Sequence, residues 1–293
     1  MSNWGFTGYS EVPREGLSGG LAMGWTQDWD VSILLQNRHF IHSQITNIQG
    51  EVFTVTFLYG HPNIAHRQLI WNELQYFGRQ ITQRWVCIGD FNQVLQETDK
   101  FSFKQISSVG NFQLQQVLSD LCLIPIDSKG LPFTWMNKRQ GDDFVMEKLD
   151  RAFANTEWME HFSHTVVRNL PIIRSDHGPI ILDTDLPQHF RHRPFRFEWM
   201  WTTHPECETI INSAWSKNYT GSYAFLFRKK LTSVRDALRR WNKDVFGKVE
   251  TEIAKKKEEL KVIQENINSV ADVRRETEQR EQLEQLLHRE EIL

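Results

Sequence analysis

The sequence predicts an α/β domain of mainly antiparallel sheets packed with helices, followed by an α-helical extension. Three observations carry this. Short runs rich in β-branched and aromatic residues recur at hairpin-like spacing up to about residue 183, punctuated by Gly, Pro, Asn and Asp. Between them lie stretches with apolar residues at helical spacing. From about Tyr223 the chain has no proline, and apolar residues repeat at alternating steps of three and four.

In chain order, VSILLQ, EVFTVTFLYG, WVCIGDF, GLPFTWMN and GPIILDTD read as strands. HRQLIWNELQYFGRQI (66–81) places Leu69, Trp71, Leu74, Phe77 and Ile81 largely on one helical face. GNFQLQQVLSDLCLI (110–124) does the same with Phe112, Leu114, Val117, Leu118 and Leu121. PQHFRHRPFRFEWMWTTHPECE then reads as an irregular, aromatic and basic connector. Beyond it, a seam runs through Leu231, Val234, Leu238, Trp241 and Val245. It resumes at Val249 and Ile253, skips Lys256, and continues through Leu260, Ile263, Ile267 and Val270. Ser269 or Asp272 is placed to cap a second helix bearing Leu283, Leu286 and Leu287, which makes an αα-hairpin. The expected division is 1–185, a connector over 186–222, and a coiled-coil-like segment over 223–293.

Charge is unevenly spread. Residues 1–185 carry −6, residues 186–249 carry +7 and residues 250–293 carry −4. The basic block includes Arg228, Lys229, Lys230, Arg235, Arg239, Arg240 and Lys243, which suits either a helix tracking a nucleic-acid backbone or a solvated helix face. Three scattered cysteines fit no disulfide framework or zinc knuckle; Cys87 and Cys122 read as core residues. His189, His192, His204 and Cys207 fit no standard metal spacing. The sequence shows neither a membrane span nor a signal peptide, so a nuclear or cytoplasmic protein is expected.

Four short blocks put polar chemistry at the ends of apolar runs: Leu58-Tyr59-Gly60-His61-Pro62, Gly89-Asp90-Phe91-Asn92, Leu149-Asp150-Arg151 and Ser175-Asp176-His177. Each alone is also what a strand-end turn, a surface ion pair or a sheet aromatic provides. As an ordered set they point to one site. Strand alternation predicts Asp90 and Asn92 on one face at the carboxyl end of a buried strand.

With these blocks the chain resembles the endonuclease/exonuclease/phosphatase superfamily. It looks most like the endonuclease region of plant LINE-type (non-LTR) retrotransposon proteins. EGLSGGLAMGW, FLYGHP, CIGDFNQVL, LPFTWMN, GDDFVMEKLDRAFANTEW and LPIIRSDHGPIIL carry the likeness over roughly residues 15–183, and PFRFEWMW with ALRRWNKDVFG resembles the connector toward a reverse transcriptase. The resemblance implies a DNase-I-like four-layer α/β sandwich and hydrolysis of DNA phosphodiester bonds with Mg²⁺ or Mn²⁺. It implies that Asp90 and Asn92 handle the attacking water, and that His177 paired with Asp150 acts at the phosphate. Tyr59 and Thr134 resemble phosphate-contacting positions, and Asp176, with Asp90, the metal carboxylates. DNA and a reverse transcriptase region are the implied partners, and the heptad seam permits self-association.

The sequence also departs from the family. The metal-site Asn and the principal metal-binding Glu of the family's first units have no counterpart here. The expectation is therefore a domain lacking its first strands, with weak or lost activity. A non-catalytic module contacting nucleic acid or protein is the alternative, and phosphatase rather than nuclease chemistry is the third.

Overall fold

The computed structural model describes residues 5–14, 20–104, 112–184, 195, 197, 201–202, 204–245 and 247–292. His189 and His192 lie outside them. The chain divides into two compact units, residues 1–187 and 188–293.

The first unit begins with β1 (Gly8–Val12), β2 (Leu21–Trp25), β3 (Trp29–Gln36), β4 (Phe40–Asn47), β5 (Val52–Tyr59), helix α1 (Ile64–Gly78) and β6 (Trp85–Asp90). It continues with β7 (Lys100–Ser102), α2 (Phe112–Asp120), β8 (Ile124–Pro125), β9 (Ser128–Gly130), β10 (Trp135–Met136) and β11 (Val145–Glu147). β12 (Asp150–Ala154), α3 (Thr156–His161), β13 (Val166–Asn169) and β14 (Ile180–Asp183) complete it. The main sheet has the order β3-β4-β5-β6-β12-β8, and a smaller one the order β14-β13-β9. Pairing is antiparallel except for β5 with β6 and β13 with β9. The parallel β5–β6 step is bridged by α1, as a crossover requires.

β6 sits near the middle of the main sheet, and its alternation builds two cores. Trp85 and Cys87 face one way, into a cluster with Ile70, Trp71 and Leu74 of α1 and Leu114, Val117 and Leu118 of α2. Val86 and Ile88 face the other way and meet Phe53, Val55, Ala152 and Val167, with Ile180 and Leu182 packed alongside. Helices therefore cover one face of the main sheet, and the smaller sheet packs on the other.

Several expectations need correction. α1 buries Trp71 and Leu74 as expected, with Phe77 and Ile81 packed against the same core, but Ile70 takes the place of Leu69, which is 70% exposed. Phe112 opens α2 and is exposed, and the buried face of the helix is Leu114, Val117 and Leu118. Cys122 is exposed, in a left-handed turn directly after α2 (φ 51°). β4 was not foreseen. It is buried along most of its length although it carries His42, Ser43 and Gln44, because polar groups bond across the sheet. His42 Nδ1 lies 2.8 Å from Thr56 Oγ1, which also accepts the Trp85 indole N–H.

In the second unit, α4 (Glu206–Trp215) occupies part of the segment read as an irregular connector, with Pro205 before it and Glu206 and Glu208 in its first turn. α5 (Tyr223–Val245), α6 (Gly247–Glu265) and α7 (Val270–Ile292) follow. Cys207 of α4 packs with Trp201, Leu238 and Trp241, which gives it a core role. Ser269 and Asp272 cap α7 together, each bonding the other's backbone N–H. Lys256, the break in the seam, reaches Gln279 and Gln282 of α7. Among the described residues, no helix is long and apolar enough to cross a membrane.

Candidate active site

The site forms where β5, β6 and β12 end side by side. Tyr59 pairs in register with Asp90, and Asp90 with Asp150. Three polar blocks far apart in sequence thus arrive on three adjacent strands. Glycine makes the close approach possible: a Cβ on Gly89 (φ 149°) would lie 2.0 Å from the Leu58 carbonyl, and one on Gly60 would lie 2.3 Å from that of Phe91.

Asp90 and Asn92 do meet, but by a turn and not by strand alternation. β6 stops at Asp90, and Asn92 is left-handed (φ 49°). Its backbone N–H and side-chain amide both donate to the Asp90 carboxylate, at 2.7 and 2.8 Å, and its Nδ2 also reaches the Gly60 carbonyl at 2.8 Å. Asn is tolerated in this conformation better than most residues.

The fourth block comes from the smaller sheet's side. The loop before β14 is pinned to β10 by Met136 N–H to the Asp176 carbonyl and by Gly178 N–H to the Thr134 carbonyl. This brings His177 over β12, with Nδ1 at 2.9 Å from Asp150 Oδ2 and Nε2 at 3.8 Å from Asp90 Oδ2. Asp90, Asp150 and His177 are the one group of three or more His, Cys, Asp or Glu among the described residues with ligand atoms close enough to share a metal ion. No glutamate joins it.

Electrostatics follow from this crowding. Burial, and then the facing charge of Asp150, push the Asp90 carboxyl up to about 6. Burial alone would lower the His177 imidazole, but its hydrogen bond to Asp150 and that carboxylate's charge outweigh burial and raise it. The Tyr59 hydroxyl is raised by burial and by the charge of Asp90, although it pairs with Asn92.

Two expected site residues are placed differently. One is Thr134. It is 1% exposed, and its hydroxyl accepts the backbone N–H groups of Leu149 and Asp150 at 3.0 and 2.9 Å, so it positions Asp150. Asp176 stands outside the central cluster. Its carboxylate accepts the Trp135 indole N–H at 3.0 Å; burial opposes its ionisation, but that bond and its neighbours hold it below the ordinary carboxylate range. Arg67 was not foreseen. It grips the carbonyls of His61 and Pro62 from α1, and its charge favours ionised Asp90. An arginine one turn into a helix that follows a site loop carries no signal of its own in the sequence.

The donor set suits a hard divalent cation: two crowded carboxylates, one resisting ionisation, form an excess of negative charge that such an ion relieves. The imidazole is already bonded to Asp150 and is oriented for another task.

The family described as endonuclease/exonuclease/phosphatase matches residues 3–177. Among solved structures, the endonuclease domain of TRAS1, a telomere-specific non-LTR retrotransposon, is 16% identical, with 62% of this chain and 83% of that one covered and a TM-score of 0.46. A 3′ phosphatase from Neisseria bound to a product DNA hairpin is 17% identical, with 63% and 81% covered and a TM-score of 0.42. The human Nocturnin catalytic domain is 13% identical, with 62% and 74% covered and a TM-score of 0.34. Among curated proteins there is no significant match. The stacked sheets and flanking helices of the first unit are thus a DNase-I-like fold.

Proposed function

Because the chain belongs to the endonuclease/exonuclease/phosphatase family, we propose that its first unit hydrolyses DNA phosphodiester bonds as a retrotransposon-type endonuclease. The observation that carries this reading is the Asp90–His177–Asp150 arrangement, with contacts of 3.8 and 2.9 Å at the ends of adjacent strands. Asp90, held by the Asn92 amides, orients and deprotonates the attacking water. Asp150 fixes the His177 tautomer and favours its charged form, which leaves Nε2 as a donor to a phosphoryl oxygen. Thr134 holds Asp150 in register, and Tyr59 with Asn92 supplies further hydrogen bonds to the phosphate. Mg²⁺ or Mn²⁺ would be held by Asp90, with Asp176 at the rim, and would neutralise charge building on the phosphate. No glutamate joins the described carboxylates, so we infer weak metal retention and slow turnover.

The test is nicking of supercoiled plasmid by the purified chain with Mg²⁺ and with EDTA, alongside Asp90→Ala and His177→Ala. Slow, Mg²⁺-dependent nicking lost in both variants supports the reading. No nicking by a folded chain favours the non-catalytic module. Phosphate release from monoesters without nicking would make it a phosphatase.

A further inference from the structure

Beside the site lies a pocket of about 480 Å³, walled by the turn between β3 and β4, the loop after β5 and the outer face of α1. That volume falls within the ~300–1,000 Å³ of small-molecule sites. His39, His61, His66, Leu69, Ile70 and Glu73 line it, and nothing in the proposed mechanism uses them. Three imidazoles gather there: the rings of His39 and His61 are 6.0 Å apart, and those of His61 and His66 are 4.7 Å apart. The pocket adjoins the catalytic residues. His39 Nδ1 bonds the Tyr59 carbonyl at 2.9 Å, and the next residue, Gly60, donates its N–H to the Asp90 carbonyl at 2.7 Å.

Backbone partners fix two of these rings. A carbonyl opposite His39 Nδ1 requires that nitrogen to carry the proton, so Nε2 of the neutral ring is an acceptor. The Asn63 N–H donates to His61 Nδ1 at 2.9 Å, so Nε2 of that ring is the donor. The pair presents one acceptor and one donor, joined by the Glu73 carboxylate, which Asn37 Nδ2 holds at 2.7 Å. Leu69 and Ile70 add apolar wall, and the imidazole rings add stacking surface. A phosphate would meet the Glu73 carboxylate here, and His61, lowered first by burial and then by the charge of His66, resists becoming cationic. A flat heterocycle with donors and acceptors on its edge meets complementary groups.

We propose that this pocket receives the nucleobase of a nucleotide flanking the scissile phosphate and thereby sets sequence preference. The proposal rests on the nuclease reading above, and its test separates the two. An oligonucleotide series carries one tetrahydrofuran abasic residue, moved position by position past the cleavage site, and bis(4-nitrophenyl) phosphate serves as a phosphodiester with no base. The expected result is one flanking position where loss of the base lowers kcat/KM about tenfold. That penalty disappears in His66→Ala and in Leu69→Trp, which fills the cavity from an exposed helix position, while hydrolysis of bis(4-nitrophenyl) phosphate stays unchanged. A uniform response along the series, or a penalty that survives both variants, overturns the proposal. So does a loss on methylphosphonate substitution, and not on base removal, that His66→Ala abolishes, since the pocket would then cradle phosphate. If neither substrate is hydrolysed, the nuclease reading fails, and competition binding of the same abasic series to the full chain decides on the pocket. Position-specific weakening supports it, and equal affinities overturn it.

Discussion

Two of the buried charge clusters among the described residues, one in each unit, follow opposite plans. In the helical unit, Glu276 meets Arg280 one turn later on α7 at 3.2 Å, Gln264 of α6 donates to the same carboxylate at 2.9 Å, and the second carboxylate, Glu284, leans toward solvent. A buried anion there faces a permanent cation. In the α/β unit, two carboxylates of equal burial, Asp90 and Asp150, share one imidazole whose charge depends on its proton. The first plan is complete in itself. The second leaves a carboxyl pushed up to about 6, a group poised for proton transfer at the cost of stability. Between these two clusters, buried charge is a structural fastener in one case and chemical potential in the other; the Asp99–Arg151 pair of the α/β unit, 2.6 Å apart and largely buried, is of the fastening kind.

Function breaks the comparison most sharply. Asp90→Ala should lower nicking by about 10²–10⁴-fold, as loss of a general base does, while the chain stays folded by circular dichroism. Arg280→Ala should do the reverse. Leaving Glu276 buried without its cation costs the helical unit about 3–5 kcal/mol in urea unfolding, and nicking is unchanged. If Arg280→Ala abolished nicking as well, the two clusters would not be separable as argued. A smaller effect comes from His42, which is buried against Thr56 and lowered by burial to about 4. The unfolded chain takes up a proton near pH 6.5 that the folded chain refuses until about 4. Stability is therefore full above 6.5 and falls by up to about 3 kcal/mol as pH drops through that window. His42→Gln should flatten this slope in a pH series of melts.

How far the sequence reveals these features depends on where their information lies. β6 is legible because both its faces are buried and its run ends at Gly89-Asp90, and the blocks around Tyr59, Asp90, Asp150 and His177 are legible because each closes an apolar run. Their convergence on adjacent strands follows from pairing register, which no single block contains. β4 is hidden because its polar residues are satisfied across the sheet and blur the apolar pattern. Thr134 is marked as a phosphate position by the resemblance alone, and nothing in its sequence neighbours shows the amides of Leu149 and Asp150 that its hydroxyl meets. Along α1 and just beyond it the period and phase are legible at Trp71, Leu74, Phe77 and Ile81, and one position shifts, with Ile70 buried in place of its equally apolar neighbour Leu69. That shift is what leaves Leu69 free to line the histidine pocket.

The smallest expected effect is also the one that separates cost from fastening most directly. Asp90 has a folded value of about 6, above its ordinary 3.8, so in metal-free protein its ionisation favours the unfolded chain. Stability is unaffected below about pH 4 and declines as pH rises through 4 to 6, after which the penalty is constant. Asp90→Asn keeps the shape and one acceptor for the Asn92 backbone N–H, but removes the charge and sets its NH2 against the Asn92 side-chain amide, a cost that is the same at every pH. In EDTA the variant should therefore gain about 1–2 kcal/mol on the wild type between pH 4 and pH 7, whatever its offset at pH 4. The same substitution removes the base and should silence nicking, so a gain of stability and a loss of activity would come from one atom's charge. A variant that gains nothing on the wild type between pH 4 and pH 7 would mean that the Asp90 charge is a fastener like that of Glu276, and the contrast between the two clusters would collapse.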